Sequence, residues 1–123
     1  MPSPTVRQVV LVVEDDAIQR LAAASMIEDA GYEVLEAVNT DDAIRILESR
    51  NDIRLVFTDI DLPGSMDGMK LAAAVRNRWP PIEIILTSGQ VLEKDVLLPA
   101  RSVFFAKPYV SDTIVATMHQ MLA

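Results

Sequence analysis

The chain has 123 residues, with 11 Lys and Arg against 18 Asp and Glu, which gives a formal net charge of −7. This length predicts one domain over residues 1–123, with a core that buries roughly two-thirds of the unfolded surface. The lack of cysteine excludes disulfides and thiolate zinc sites, and the acidic excess argues against a nucleic-acid partner. No apolar run approaches the ~18–20 residues of a membrane span, and residues 1–8 lack the apolar stretch of a secretory signal. We therefore expect a cytoplasmic protein with no membrane partner.

Five apolar runs alternate with segments of helical periodicity along the chain. The predicted strands are Val9–Val13, Glu33–Ala37, Arg54–Thr58, Ile82–Leu86 and Ser102–Phe105. The predicted helices cover residues 17–30, 40–49, 67–78 and 111–122. Between the last two strands, residues 92–98 allow at most two helical turns before Pro99, so we expect this helix to be short or irregular. The alternation predicts one open, doubly wound α/β sheet flanked by helices.

Capping residues set the predicted helix boundaries. The residues expected to begin helices are Asp16, either Asn39 or Thr40, Asp67 and Ser111. Gly31 predicts the end of the first helix. The apolar residues near one face of the first helix are Ile18, Leu21, Ala22 and Met26. Those with the spacing of a buried face on the last helix are Ile114, Val115, Met118, Met121 and Leu122.

Charged and hydroxyl side chains follow four of the five predicted strands. They are Glu14, Asp15 and Asp16, then Asp59 and Asp61, then Thr87 and Ser88, and finally Lys107. We expect them to lie close together, because the carboxyl ends of parallel strands meet at one edge of the sheet. Converging carboxylates repel each other unless a cation lies between them, and Mg²⁺ suits such oxygens best. With a hydroxyl and an ammonium nearby, the set predicts a phosphoryl-transfer site in which one carboxylate is the nucleophile.

Five short motifs occur in order along almost the whole chain. They are VVLVVEDD at residues 9–16, TDIDLP at 58–63, MDG at 66–68, LTSG at 86–89 and AKPY at 106–109. Together they resemble the receiver domain of two-component response regulators. The resemblance implies a flavodoxin-like sheet of five parallel strands in the order 2-1-3-4-5. It also implies a phosphorylation-controlled signalling switch and not a metabolic enzyme.

The resemblance implies which residues bind the metal and accept the phosphoryl group. Asp59 matches the phosphoacceptor, which takes its phosphoryl group from a phosphohistidine on a sensor histidine kinase or a histidine phosphotransfer protein. Glu14 and Asp15 match the acidic pair that holds Mg²⁺, with Asp15 as the direct ligand and Glu14 acting through water. Asp59 and the backbone carbonyl of Asp61 complete the implied metal site.

The resemblance also implies which residues respond to phosphorylation. Thr87 matches the hydroxyl that turns toward the phosphoryl group, and Lys107 matches the ammonium that pairs with it. Phe104 matches the aromatic switch residue that moves with the hydroxyl. The peptide bond between Lys107 and Pro108 matches one that is usually cis in the family.

Three features depart from the family pattern. The loop with Gly64 and Ser65 is one residue longer than usual. The segment from Thr87 to Lys107 is slightly short and contains Pro99, which puts the output surface around the fourth helix, and any dimer built on it, in question. The third departure is an acid at Asp61 and the absence of a side chain at Gly89. We hypothesise that Gly89 leaves the phosphoryl group open to water and that the charge of Asp61 affects how that water is placed.

Because no residues remain after the last predicted helix for a DNA-binding or enzymatic output domain, we expect a stand-alone receiver. It would contact an unidentified downstream protein, as a monomer or a weak homodimer. Two alternatives stay open. The sequence Asp59-Ile60-Asp61 after an apolar strand resembles the nucleophile motif of the haloacid dehalogenase superfamily, which implies a small Mg²⁺-dependent phosphatase. That motif normally opens its chain, and such an enzyme needs more length and a substrate cap. The other alternative is a degenerate receiver that binds partners without phosphorylation.

Overall fold

The computed structural model describes residues 7–62, 67–91 and 93–123. Five strands form one parallel sheet in the order β2-β1-β3-β4-β5, as predicted. The strands are β1 (Val9–Val13), β2 (Glu33–Ala37), β3 (Ile53–Asp59), β4 (Glu83–Ser88) and β5 (Ser102–Ala106). The α-helices are α1 (Ala17–Asp29), α2 (Thr40–Ser49), α3 (Gly68–Arg78) and α4 (Ser111–Met121). None of the helices in these described ranges is long and apolar enough to cross a membrane.

The sheet separates two apolar layers. All five residues of β1 are buried, and their side chains alternate between the two faces. Val10 and Val12 belong to the cluster that contains the buried residues of α1 and α4, whereas Leu11 and Val13 belong to the cluster on the side of α2 and α3. Burial on both faces explains why the central strands read as continuous apolar runs.

The capping residues fix three helix starts. The side-chain oxygens of Asp16, Asn39 and Asp67 accept hydrogen bonds from backbone N–H groups three residues further on, in α1, α2 and α3. Asn39 therefore caps α2, and Thr40 is its first helical residue. The prediction for Ser111 was wrong: it is the first residue of α4, and Val110 at the cap position makes no side-chain hydrogen bond.

The buried face of α1 differs from the apolar set singled out in the sequence. Ala23, Ala24 and Ile27 are its buried residues. Ile18 and Leu21 are 81% and 68% exposed. The small alanines let the helix lie close to the sheet, so the larger apolar residues of its first two turns face outward. These two side chains form part of an exposed apolar surface beside the carboxyl edge of the sheet.

Three strands extend further at their carboxyl ends than predicted; β5 runs one residue further, to Ala106, and the other two carry polar residues there. β3 runs to Asp59, and β4 includes Thr87 and Ser88, so these polar residues lie on the last rungs of the sheet and not beyond it. Asp59 pairs in register with Thr87. Because the backbone of a strand is held by its neighbours on both sides, the sheet itself fixes the position of both residues.

The segment between β4 and β5 is short and irregular, as expected. Its only helical element among the described residues is a 3-10 turn over Glu93–Asp95. Leu97 and Leu98 follow it, and both are exposed. The predicted turn and longer loop at residues 63–66 lie outside the described part of the chain, as does Leu92.

Candidate functional site

The carboxyl edge of the sheet brings four chain segments together. Asp59 ends β3, and Thr87 lies beside it on β4. Lys107 directly follows β5, and its backbone N–H donates to the carbonyl of Ser88 at 2.8 Å. Glu14 directly follows β1, and its N–H donates to the carbonyl of Ala37 at 3.1 Å. Each site residue is thus attached to the sheet through its own backbone.

Lys107 lies at the centre of this site. Its Nζ donates to Oδ2 of Asp59 at 3.0 Å, to Oε1 of Glu14 at 3.3 Å and to Oε1 of Gln19 at 2.6 Å. Asp59 and Glu14 are buried, whereas the Lys107 side chain is 23% exposed. The predicted convergence of the first, third and fifth strand ends is therefore present in the geometry.

Three carboxylates meet at the same place. One oxygen each from Glu14, Asp15 and Asp59 lies within 4.8 Å of the other two. Oxygen ligands on opposite sides of one Mg²⁺ lie about 4.2 Å apart, so the three side chains would need only a small inward shift to share one ion. Lys107 offsets one of the three negative charges, and the remaining excess matches a divalent cation. The donor set is thus suited to Mg²⁺, which prefers carboxylate oxygens and water.

Burial and charge shift two pKa values in this cluster. Burial raises the pKa of Glu14, and the nearby charge of Asp59 raises it further, against the lowering effects of the Asp16 N–H and of Lys107. Burial alone lowers the pKa of Lys107. The hydrogen bonds and charges of Asp59 and Glu14 outweigh that effect and hold its pKa above the ordinary value. Lys107 is therefore charged when Asp59 is ionised, as a group that pairs with an anion must be.

Arg20 and Asp16 hold the acidic loop after β1. The Arg20 guanidinium donates to the carbonyl of Glu14 at 3.0 Å and pairs with Glu36 of β2 at 3.3 Å. The N–H of Asp16 donates to Oε2 of Glu14 at 3.1 Å. Asp16 therefore caps α1 and helps to orient Glu14. Arg20 was not identified in the sequence, because its distance to this loop is a property of the folded helix.

Asp61 contacts the site in two ways. Its backbone N–H donates to Oδ1 of Asp59 at 3.1 Å. Its side chain turns toward the end of β4, where Oδ2 accepts from Oγ of Ser88 at 2.9 Å and from the N–H of Gly89 at 3.3 Å. Asp59 is therefore held by Asp61 through one oxygen and by Lys107 through the other. The carboxylate of Asp61 also joins two strand ends.

Gly68 explains why the MDG motif ends in glycine. A Cβ at this position would lie 2.2 Å from the carbonyl oxygen of Asp59 and 2.7 Å from Cα of Ile60. The N–H of Gly68 donates to the carbonyl of Ile60 at 3.1 Å. The first residue of α3 therefore lies directly on the backbone of Asp59, and only glycine allows this approach. The motif was visible in the sequence, but this close approach of two backbones was not.

Two cavities open at this edge. One, of about 430 Å³, is lined by Asp59, Thr87 and Lys107 together with apolar residues of α1 and the segment after β5. The other, of about 460 Å³, is lined by the acidic cluster with Asp61 and Lys107. Asp59 lines both cavities, so a small anion has access to it from outside.

Two further predicted features lie on β5 and directly after it. Phe104 is buried within the apolar layer on the side of α2 and α3. The peptide bond between Lys107 and Pro108 is cis, as expected.

The fold and the site define a class of protein. It is a five-stranded parallel α/β domain with a metal-competent carboxylate cluster and a lysine paired to one buried aspartate. The profile of the response regulator receiver domain family matches residues 10–119. The chain belongs to this family.

Individual relatives agree with this assignment. The aerobic respiration control protein ArcA of Escherichia coli K12 is 36% identical over 89 residues, which are 72% of this chain and 36% of that protein. The hydrogenase transcriptional regulatory protein HoxA of Cupriavidus necator is 28% identical over 118 residues, 93% of this chain and 24% of that protein. The chain therefore matches between about a quarter and slightly more than a third of the length of these curated relatives.

Solved structures match over nearly the whole fold. A response regulator receiver protein from Sinorhizobium medicae WSM419 superposes with a TM-score of 0.86 at 29% identity, covering 94% of each chain. The receiver domain of the hybrid histidine kinase CckA superposes with a TM-score of 0.79 at 29% identity, covering 94% of this chain and 99% of that one. Membership of the family supports a phosphorylation-dependent signalling role.

Proposed function

We propose that this chain is a signalling switch that accepts a phosphoryl group on Asp59 from a phosphohistidine. One carboxylate oxygen of Asp59 attacks phosphorus, and a new O–P bond replaces the P–N bond. The imidazole ring, protonated on its other nitrogen, leaves with the electron pair of the broken bond. The observation that supports this most directly is the contact between Nζ of Lys107 and Oδ2 of Asp59 at 3.0 Å, beside the acidic cluster.

Glu14, Asp15 and Asp59 are the side chains that would hold Mg²⁺, with the backbone carbonyl of Asp61 as a further ligand. When bound, the ion offsets negative charge on the transferring phosphoryl group. Lys107 contributes a second positive charge at Oδ2 of Asp59. The N–H of Asp61 fixes Oδ1 of the same carboxylate at 3.1 Å. These contacts orient Asp59 before the donor arrives, which lowers the entropic cost of the reaction.

The phosphoryl group would change the balance between two arrangements of this edge. It carries a charge of about −1.5 to −2, and Lys107 and Thr87 are the neighbouring groups able to turn toward it. Phe104 lies on β5, the strand that leads to Lys107, and would move with Thr87 as the switch residue. A complete reversal from 1:99 to 99:1 requires about 5.5 kcal/mol of preferential interaction with one arrangement.

An exposed apolar surface beside the site supports a protein partner. Ile18 and Leu21 project from α1 at 81% and 68% exposure, and Val110, after the cis peptide segment, is 66% exposed. A histidine kinase or histidine phosphotransfer protein would cover this surface while its phosphohistidine reaches Asp59. We propose a cytoplasmic protein, monomeric or weakly dimeric, that signals to a downstream protein without binding nucleic acid or membrane.

Intact mass spectrometry after incubation with acetyl phosphate and Mg²⁺ tests the proposed reaction. We expect one phosphoryl adduct in the wild type and none in Asp59→Asn. Catalytic turnover of small phosphate esters would instead favour the phosphatase alternative. An unmodified wild-type chain would contradict the proposal and favour a receiver that works without phosphorylation.

The apolar surface is tested by the same substitution at two leucines. Leu21→Gln changes the exposed apolar face of α1 at the residue before Ala22, which lines the cavity that includes Asp59. Leu97→Gln changes a leucine that is 87% exposed in the segment before β5. We expect Leu21→Gln to slow phosphoryl transfer from a histidine kinase about tenfold and to leave labelling by acetyl phosphate unchanged. Equal transfer rates for the two variants would exclude this surface.

A further inference from the structure

Gln19 contacts the centre of the site from the first turn of α1. Its N–H donates to Oδ1 of the capping Asp16 at 2.9 Å, which fixes its place on the helix. Its side-chain Oε1 accepts a hydrogen bond from Nζ of Lys107 at 2.6 Å, the shortest of the three bonds that this ammonium makes. Gln19 also lines both cavities at this edge of the sheet. A surface residue therefore contacts the lysine directly.

The three hydrogen bonds use the whole donor capacity of Lys107. An ammonium group has three N–H donors, and here they go to Asp59, Glu14 and Gln19. A new bond to a phosphoryl oxygen therefore requires one of these bonds to break. Gln19 is the uncharged partner of the three, so its bond is the one most readily exchanged for a bond to an anion.

We propose that Gln19 is a positioning residue that holds Lys107 in its unphosphorylated arrangement and thereby opposes retention of a phosphoryl group on Asp59. The hydrogen bond from Lys107 to Gln19 stabilises the state before phosphorylation. This bond breaks when Lys107 turns toward the phosphoryl group, so it opposes the phosphorylated arrangement. This inference rests on the proposed function, because it assumes that Asp59 carries the phosphoryl group.

Substitutions of two kinds at position 19 have opposite expected effects. Gln19→Met keeps the length of the side chain but offers no strong acceptor, so Lys107 turns to the phosphoryl group more easily. Gln19→Glu offers a charged acceptor, which holds Lys107 more strongly. A purely structural role would give both variants the same direction of change. Gln19 is exposed, so neither substitution disturbs the core.

Beryllofluoride in the presence of Mg²⁺ is the probe, since it imitates a phosphoryl group on aspartate without a donor. By isothermal titration calorimetry we expect Gln19→Met to bind it about threefold to tenfold more tightly than the wild type. We expect Gln19→Glu to bind it at least about tenfold more weakly. Gln120 is exposed on α4 and lines neither cavity, so Gln120→Met and Gln120→Glu provide matched controls for size and charge. Both controls should remain within about twofold of the wild type.

A spectroscopic measurement on the free protein examines the hydrogen bond itself. In ¹⁵N NMR spectra we expect the ammonium protons of Lys107 to exchange with water several-fold faster in Gln19→Met than in the wild type. Equal exchange, or affinities that shift in the same direction in both variants, would overturn the role of Gln19. Labelling of Asp59 in the wild type would still support the proposed function. If the wild type neither labels nor binds beryllofluoride, both proposals fail.

Discussion

Replacing Gly68 with alanine tests how tightly α3 packs against the backbone of Asp59, the proposed phosphoacceptor. The added Cβ would lie 2.2 Å from the carbonyl oxygen of Asp59 and within 2.8 Å of two further backbone atoms. Real contacts of this kind are longer by about 1 Å, and no flexible side chain is available to move away. The first turn of α3 and the end of β3 must therefore separate by about that distance.

The destabilisation expected for Gly68→Ala is the sum of two opposing effects on the free energy of unfolding. Overpacking of this kind destabilises a fold by about 1–3 kcal/mol, and a clash with backbone belongs at the upper end. Alanine recovers about 0.4–1 kcal/mol, because it reduces the freedom of the unfolded chain. We expect a net loss of about 2 kcal/mol and a fall in Tm of about 5–10 °C. Displacement of Asp59 by about 1 Å should slow its phosphorylation about tenfold to a hundredfold.

Gly89→Ala is the matched control. A Cβ at Gly89 would meet only the Lys107 side chain, at 3.8 and 4.0 Å, which is ordinary contact. Thermal unfolding and acetyl phosphate labelling of both variants measure stability and reactivity. We expect Gly89→Ala to match the wild type in Tm within about 2 °C. Equal stability and labelling of the two variants would refute the idea that Gly68 sets the position of Asp59.

Four further predictions concern the metal, the acidic loop and the lifetime of the phosphoryl group. At about 100 times its Kd, Mg²⁺ should stabilise the wild type against thermal unfolding by about 2.7 kcal/mol, and Asp15→Asn should lose most of this gain. Because burial raises the pKa of Glu14, acidification protonates this carboxylate at a pH above that of an ordinary glutamate. Mg²⁺ affinity, measured by calorimetry, should therefore begin to fall at a higher pH than an ordinary glutamate would cause, and should fall less in Glu14→Gln. Arg20→Met removes the bond to the acidic loop and should weaken Mg²⁺ binding several-fold, whereas Arg45→Met, at an exposed ion pair, should not. Asp61→Asn keeps an acceptor oxygen but removes the charge, and it should change the lifetime of the acyl phosphate several-fold in intact-mass time courses.

Each of these four has a result that contradicts it. An equal rise in Tm for the wild type and Asp15→Asn would place the ion elsewhere. A pH dependence of Mg²⁺ affinity that is the same in Glu14→Gln would assign the titration to another group. Equal affinities for the Arg20 and Arg45 variants would leave the guanidinium without a role in the metal site. Unchanged lifetimes in Asp61→Asn would show that its charge does not affect the attacking water.

Signals that act within a few residues were sufficient to predict most of the fold. Asp16, Asn39 and Asp67 each cap a helix by a bond to the N–H three residues further on, so the pattern is complete in the sequence itself. The strand cores were equally clear, because burial on both faces requires a continuous apolar run. The start of α4 shows the limit of such local signals. Ser111 is a suitable capping residue by type, but it is already the first residue of the helix, so Val110 occupies the cap position.

The buried face of α1 could not be predicted from apolar periodicity. Ile18 and Leu21 have the larger apolar surfaces, yet the helix packs through Ala23, Ala24 and Ile27. Which of two apolar stripes packs on the sheet depends on how closely the helix axis approaches, and small residues favour the closer approach. The other stripe then remains exposed on the first two turns of α1, where the proposed histidine-bearing partner would bind.

The site shows the same difference between features that follow from the local sequence and features that depend on how the helices pack. Glu14, Asp59 and Lys107 were predicted because parallel topology brings strand ends together, which the order of the motifs already implies. Gln19, Arg20 and Gly68 enter through distances between a helix and a strand end, and no spacing in the sequence encodes those. In the proposed function, such residues hold or restrain the reacting groups and do not react themselves. Changes at them should therefore alter the rate and lifetime of phosphorylation while leaving Asp59 as the residue that is modified.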